Sequence, residues 1–119
     1  MERIDGVGGV FLRARDLDAL LAWYRAQLGF EPAHDFNGQT FEGGSTVWAL
    51  FPADTEYFGR DGQAAMVNYR VRDLDAMLAQ LRAAGSRVDD LVHENEFGRF
   101  GWATDPAGNR FELWEPREC

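Results

Sequence analysis

The chain has 119 residues, enough for one domain with a single core and too few for two. Its 20 acidic against 12 basic residues give a net charge of −8, which repels nucleic-acid backbones and anionic membranes and leaves no basic stripe to offset that repulsion. No apolar run approaches the roughly 20 residues of a membrane span, no low-complexity tract interrupts the chain, and the one cysteine, Cys119, excludes an intrachain disulfide, so an ordered cytoplasmic protein is expected.

In chain order, Gly6-Val7-Gly8-Gly9 precedes a strand instead of joining a strand to a helix, which is not the geometry of a phosphate cradle. Val10, Leu12 and Ala14 then alternate with Phe11 and Arg13, the period of a strand. Asp16 is placed to cap a helix whose apolar stripe is Leu17, Leu20, Leu21, Tyr24 and Leu28, and Gly29 suits its left-handed stop. Segments 31–36, 38–43 and 45–51, separated by Asn37-Gly38 and Gly43-Gly44, read as a meander of short strands. Residues 52–65 form a loop long enough to act as a lid or an interface arm.

The pattern then begins again. Val67, Tyr69 and Val71 oppose Asn68 and Arg70 on a strand, Asp73 caps a second helix with the stripe Leu74, Met77, Leu78 and Leu81, and Gly85 ends it. Strands are expected at 86–92, 98–104 and 109–115, the last two joined by Asp105-Pro106-Ala107-Gly108, which has the residues of a type I turn. The restart is a duplication: "VFLRARDLDALLAWYRAQ" at 10–27 and "VNYRVRDLDAMLAQLRAA" at 67–84 match at eleven of eighteen positions with a constant offset of 57. Two copies are too few for a solenoid, so they must pack as halves of one α+β domain: a βαβββ module over 7–52, a connecting loop over 53–65 and a second βαβββ module over 66–116.

Paired modules with "DLDALLAWYRAQLGF" in the first and "DPAGNRFELWEP" closing the second resemble the vicinal oxygen chelate superfamily, which includes glyoxalase I, bleomycin-resistance proteins, fosfomycin-resistance proteins and extradiol dioxygenases. The resemblance spans 7–116. It implies a curved mixed sheet forming a cup, helices on the outside, and a homodimer. It also implies four metal-ligand positions, a histidine seven residues before each capping aspartate and a ligand on each module's last strand. Those positions hold Gly9, Met66, Ala49 and Glu112. Glycine and alanine have no side-chain donor, and methionine prefers soft ions, so no metal and no cofactor are expected.

Alternation extends the cup's lining to Gly9, Phe11, Arg13, Val47, Ala49, Phe51, Met66, Asn68, Arg70, Arg110, Glu112 and Trp114, apolar walls with few polar groups, as small-molecule sites usually are. Phe11 and Trp114 are suited to stack on a planar ligand. Phe51, Met66 and Asn68 complete the wall, and Arg13 and Arg70, related by the repeat, form either an anion clamp or partners for acidic groups. Glu112 is either in a structural ion pair with Arg13, Arg70 or Arg110 or in contact with the ligand, and in an enzyme it is the candidate base. His93 either reaches the cup mouth as a base or lies on the surface beside Glu94 and Glu96; His34 has no catalytic partner nearby in sequence. Trp48 and Trp102 are read as core. No serine or cysteine nucleophile stands out.

The first functional expectation is a protein that binds a small, partly aromatic or amphipathic molecule in a metal-free cup, with no nucleic-acid or membrane partner. The alternatives are a lyase or isomerase using Glu112 as base with an arginine for the oxyanion, a metalloenzyme recruiting His93 or Glu42, and a scaffold without ligand.

Overall fold

The computed structural model describes residues 1–33, 37–41, 46–59 and 62–117; His34, Glu42 and Cys119 therefore lie outside the described residues. Strand β1 (Ile4–Ala14) is longer than its alternating core, because the glycines of 6–9 lie inside it, and its pairing shifts register at Ile4/Gly6 and Val7/Gly9. Asp16 then caps helix α1 (Leu17–Leu28), its carboxylate accepting from the Ala19 N–H at 3.0 Å, and Gly29 closes the helix at φ 70°. Strands β2 (Gly38–Thr40) and β3 (Val47–Pro52) complete the first half.

The second half repeats the scheme. Strand β4 (Ala65–Val71) leads to α2 (Leu74–Ala83), capped by Asp73, whose carboxylate accepts from the Ala76 N–H at 3.1 Å. Strands β5 (Arg87–Val88), β6 (His93–Asn95), β7 (Gly98–Thr104) and β8 (Arg110–Pro116) follow. The turn between β7 and β8 closes with Gly108 N–H on the Asp105 carbonyl at 2.9 Å, as its sequence required.

Two expected strands differ. Of 31–36, the described residues contribute only an isolated bridge from Ala33 to Gly38. The stretch 86–92 leaves the ladder after Val88, where the Asp89 N–H still reaches the Trp102 carbonyl at 2.9 Å, and pairing resumes as β6 at His93.

The fold is mixed α+β: eight strands form one open, curved sheet of order β2-β3-β1-β4-β8-β7-β5, with β6 also paired to β7. The repeat is legible in the pairing. Antiparallel β1 and β4 form the centre, β1 runs parallel to β3, and β4 runs parallel to β8.

Side-chain alternation sorts the core onto the two faces. On the helix face Ala14, Trp48 and Leu50 pack with the α1 stripe, and Val71, Leu74, Met77, Leu78 and Leu113 pack around α2. On the concave face Phe11, Ala49, Met66 and Trp102 pack with Phe58 from the connecting loop. Phe58 has no exposed surface, so the loop supplies part of the core that the strands leave unfilled. Among the described residues no helix is long and apolar enough to cross a membrane.

Candidate functional site

Glu112 lies on the concave face of β8, and β8 is interior to the sheet, so the glutamate has a cross-strand neighbour on each side: Asn68 on β4 and Trp102 on β7. Both donate to it. Asn68 Nδ2 reaches Oε1 at 2.5 Å and Trp102 Nε1 reaches Oε2 at 3.0 Å. A third donor comes from the loop, where the Tyr57 hydroxyl hydrogen-bonds Oε2. Glu112 is only 2% exposed, and all three partners are neutral. Of the two readings of Glu112, the ion pair with Arg13, Arg70 or Arg110 gives way among the described residues to a ring of uncharged donors.

Burial raises the pKa of Glu112 above its ordinary 4.5; the donors, and Arg110 more weakly, act in the opposite direction. Burial, followed by the neighbouring Glu112, likewise raises the Tyr57 phenol well above its ordinary 10.0. Asn68 is 2% exposed, and with its amide N–H turned to Glu112 its Oδ1 is left against Gly8 without a hydrogen-bond partner among the described residues. A Cβ at Gly8 would collide with that oxygen and come within 2.9 Å of the Trp114 ring, so glycine is needed there for the approach of β1.

Above these groups lies a cavity of about 300 Å³. Phe11, Val47, Ala49, Phe51, Asn68, Glu112 and Trp114, all expected in the cup, line it. Gly8, Thr40, Tyr57, Asn95, Phe97 and Phe100 line it as well. Trp114 stacks on Phe100 at 6.0 Å and 4°, and its Nε1 donates to the Phe97 carbonyl at 2.9 Å, which fixes the indole as a rigid wall. A second groove of about 420 Å³ adjoins it, lined by Leu91, His93 and Trp102 together with Phe51, Tyr57, Asn95 and Phe100. His93 is exposed on β6 and belongs to this groove, away from Glu112's hydrogen bonds.

The remaining expected residues serve other ends. Arg13 shares Phe11's face, but its guanidinium reaches past the cup to the connecting loop, donating to the carbonyls of Gln63 (2.7 Å), Ala53 (2.7 Å) and Thr55 (2.8 Å) and lying over the Phe58 ring at 4.9 Å. Arg70 donates to the Val7 carbonyl at 2.8 Å. The two are thus held by backbone acceptors and do not converge as an anion clamp. Arg110 pairs with Asp89 at 2.9 Å and covers the Trp102 ring at 5.4 Å. Met66 is fully buried in the concave core and does not line the cavity. Gln63, also buried, exchanges hydrogen bonds with the backbone of Arg110 at 2.7 and 2.8 Å and so ties the end of the loop to β8.

Register settles which positions of the two halves correspond. Phe11 pairs with Ala49 as Asn68 pairs with Glu112, and Phe11 and Asn68 are 57 residues apart, so Ala49 is the repeat equivalent of Glu112. The four positions where the resemblance implies metal ligands hold one oxygen donor, Glu112, and its oxygens already accept three hydrogen bonds. Among the described residues no three His, Cys, Asp or Glu side chains gather to hold a metal ion. This donor set does not fit a divalent cation, which generally takes about three protein ligands.

The sequence matches the family model of the Glyoxalase/Bleomycin resistance protein/Dioxygenase superfamily over residues 4–113. No curated protein matches it significantly. Among solved structures, methylmalonyl-CoA epimerase from Mycobacterium tuberculosis superposes with a TM-score of 0.74 at 24% identity, covering 97% of this chain and 90% of that one. A Streptomyces coelicolor methylmalonyl-CoA epimerase in complex with 2-nitronate-propionyl-CoA gives 0.72 at 24% identity, covering 98% and 100%. An NAD-dependent benzaldehyde dehydrogenase structure from Legionella pneumophila gives 0.64 at 14%, covering 92% and 98%. At these identities the likeness is one of fold.

Proposed function

Because the chain belongs to the Glyoxalase/Bleomycin resistance protein/Dioxygenase superfamily, we propose that it binds a small, partly aromatic or amphipathic molecule in its cup without the help of a divalent cation. The observation that carries this reading is the aromatic cavity whose one carboxyl group is held by three neutral donors. Apolar burial between Phe11, Phe51, Phe100 and Trp114 supplies affinity, and the few polar groups at the base supply orientation. A carboxyl group that already accepts three hydrogen bonds and, among the described residues, has no cluster of further ligands beside it is a poor site for a cation. The homodimer implied by the resemblance is part of the proposal, and sedimentation equilibrium tests it.

The test is a calorimetric titration of planar probes such as 2-naphthol and indole against the native chain and against Val47→Phe, which puts bulk into the cavity wall. Saturable binding that the substitution abolishes supports the proposal. Binding that survives it, or none by the native chain, removes it.

A second reading, an isomerase-type proton transfer with Glu112 as base, draws support from the burial that raises its pKa and from the likeness in fold to methylmalonyl-CoA epimerases. It requires that the native chain exchange an acidic C–H proton of a bound molecule with D2O and that Glu112→Gln stop the exchange without loss of affinity. No exchange leaves the binding proposal alone.

A further inference from the structure

Among the described residues, Tyr57 is the one hydrogen-bond partner of Glu112 that is not carried by the sheet. Its ring stacks on Phe51 with centroids 5.1 Å apart and planes at 10°, meets Trp102 edge-on at 5.8 Å and 84°, and its hydroxyl donates to Glu112. Phe51, Trp102 and Glu112 stand on β3, β7 and β8 and are positioned by strand pairing. The loop does not depend on Tyr57 for its own position, because Arg13 binds three of its carbonyls and Phe58 is fully buried beside it. Tyr57 itself is half-buried and lines both the 300 Å³ cavity and the neighbouring groove.

These contacts describe a receptor for a particular chemical group: an aromatic face, an aromatic edge, and a buried carboxyl acceptor at the distance of a ring hydroxyl. We infer that the place Tyr57 holds is a phenol-binding subsite of the cup, kept filled by the chain's own side chain until a phenolic ligand takes it. The inference rests on the cup's being a ligand site, and adds the class of ligand and the contact it must displace. When the Tyr57 ring turns out, a wall shared by cavity and groove is removed, and Glu112 Oε2 loses one of its two donors, keeping Trp102 Nε1. A neutral phenol supplies one, whereas toluene does not and a carboxylate brings like charge to an acidic group.

In the full-length chain, Tyr57→Ala is titrated with p-cresol and with toluene. The variant should bind p-cresol more tightly than the native chain does, since the internal competitor is gone, and roughly tenfold more tightly than toluene, the worth of one hydrogen bond to a buried carboxyl group. Equal affinity for the two probes, or no binding of p-cresol, overturns the inference. The native chain decides independently of how the variant folds. When 2-naphthol binds, the Tyr57 ring resonances should lose the ring-current shifts imposed by Phe51 and Trp102. Naphthol bound with those shifts intact refutes displacement while leaving the cavity reading in place; naphthol that does not bind refutes both.

Discussion

Glu112→Gln tests the environment of the buried carboxyl group most directly. Glu112 is 2% exposed, is surrounded by Tyr57, Asn68 and Trp102, and among the described residues forms no ion pair; Arg110, paired with Asp89, acts on it only weakly through space. Burial raises its pKa in the folded chain above 4.5. The folded state therefore binds this proton more tightly than the unfolded state, and stability falls as pH rises through the window that opens at 4.5 and closes at the raised folded value. Within that window the slope for one group is at most about 1.4 kcal/mol per pH unit, roughly 5 °C in melting temperature for a chain of this length. Glutamine is neutral throughout. Its oxygen keeps the Tyr57 and Trp102 bonds, and the Asn68 amide, turned over, offers Oδ1 to the new N–H, so the variant should match the native chain at pH 4 and exceed it increasingly as pH rises, until the difference levels off. Urea and thermal denaturation of both proteins from pH 4 to pH 8 measure that difference. A gap that is constant with pH, or a native chain that gains on the variant as pH rises, would refute the account, the latter by indicating a charged partner for Glu112.

Phe58→Ala removes a fully buried ring from the concave core and should cost about 3–5 kcal/mol in urea unfolding; a loss below about 1 kcal/mol would mean that the loop seals nothing. Because Tyr57 is raised well above the ordinary phenol range, Tyr57→Phe should leave the alkaline absorbance titration of the folded chain unchanged up to the pH of unfolding, and a phenolate step lost in the variant would contradict its burial against Glu112. After incubation with zinc, nickel, manganese or ferrous iron and dialysis, the chain should retain far less than stoichiometric metal by elemental analysis. Stoichiometric retention would show a ligand set other than the one formed by Gly9, Ala49, Met66 and Glu112.

Periodicity made the scaffold legible. Asp16 and Asp73 cap the two helices as their positions required, and alternation placed Phe11, Ala49, Asn68, Glu112 and Trp114 on one face, where they line the cavity. Alternation fixes where a side chain leaves the backbone and says nothing of where a long one ends. Arg13, Arg70 and Arg110 consequently finish on carbonyls or on Asp89, at distances no pattern encodes. His93-Glu94-Asn95 has neither apolar alternation nor β-branched residues, yet it pairs with β7 as strand β6 because Phe100 and Gly98 present a free edge to it. Tyr57 and Phe58 lie in an aperiodic loop. Their one signal was two adjacent aromatics in the otherwise polar run "DTEYFGRDG", which marks burial but not the partner.

The two halves of the cup differ in what they contribute. At the corresponding positions of the repeat, β1 and β3 offer Phe11 and Ala49, while β4 and β8 offer Asn68 and Glu112. A nearly twofold frame thus carries a lining without twofold symmetry, so turning a guest end for end exchanges its greasy end with its hydrogen-bonding end against the wrong walls. If the cup binds a guest as proposed, such a lining would distinguish head from tail, and a guest symmetric about its middle would match only one of the two walls.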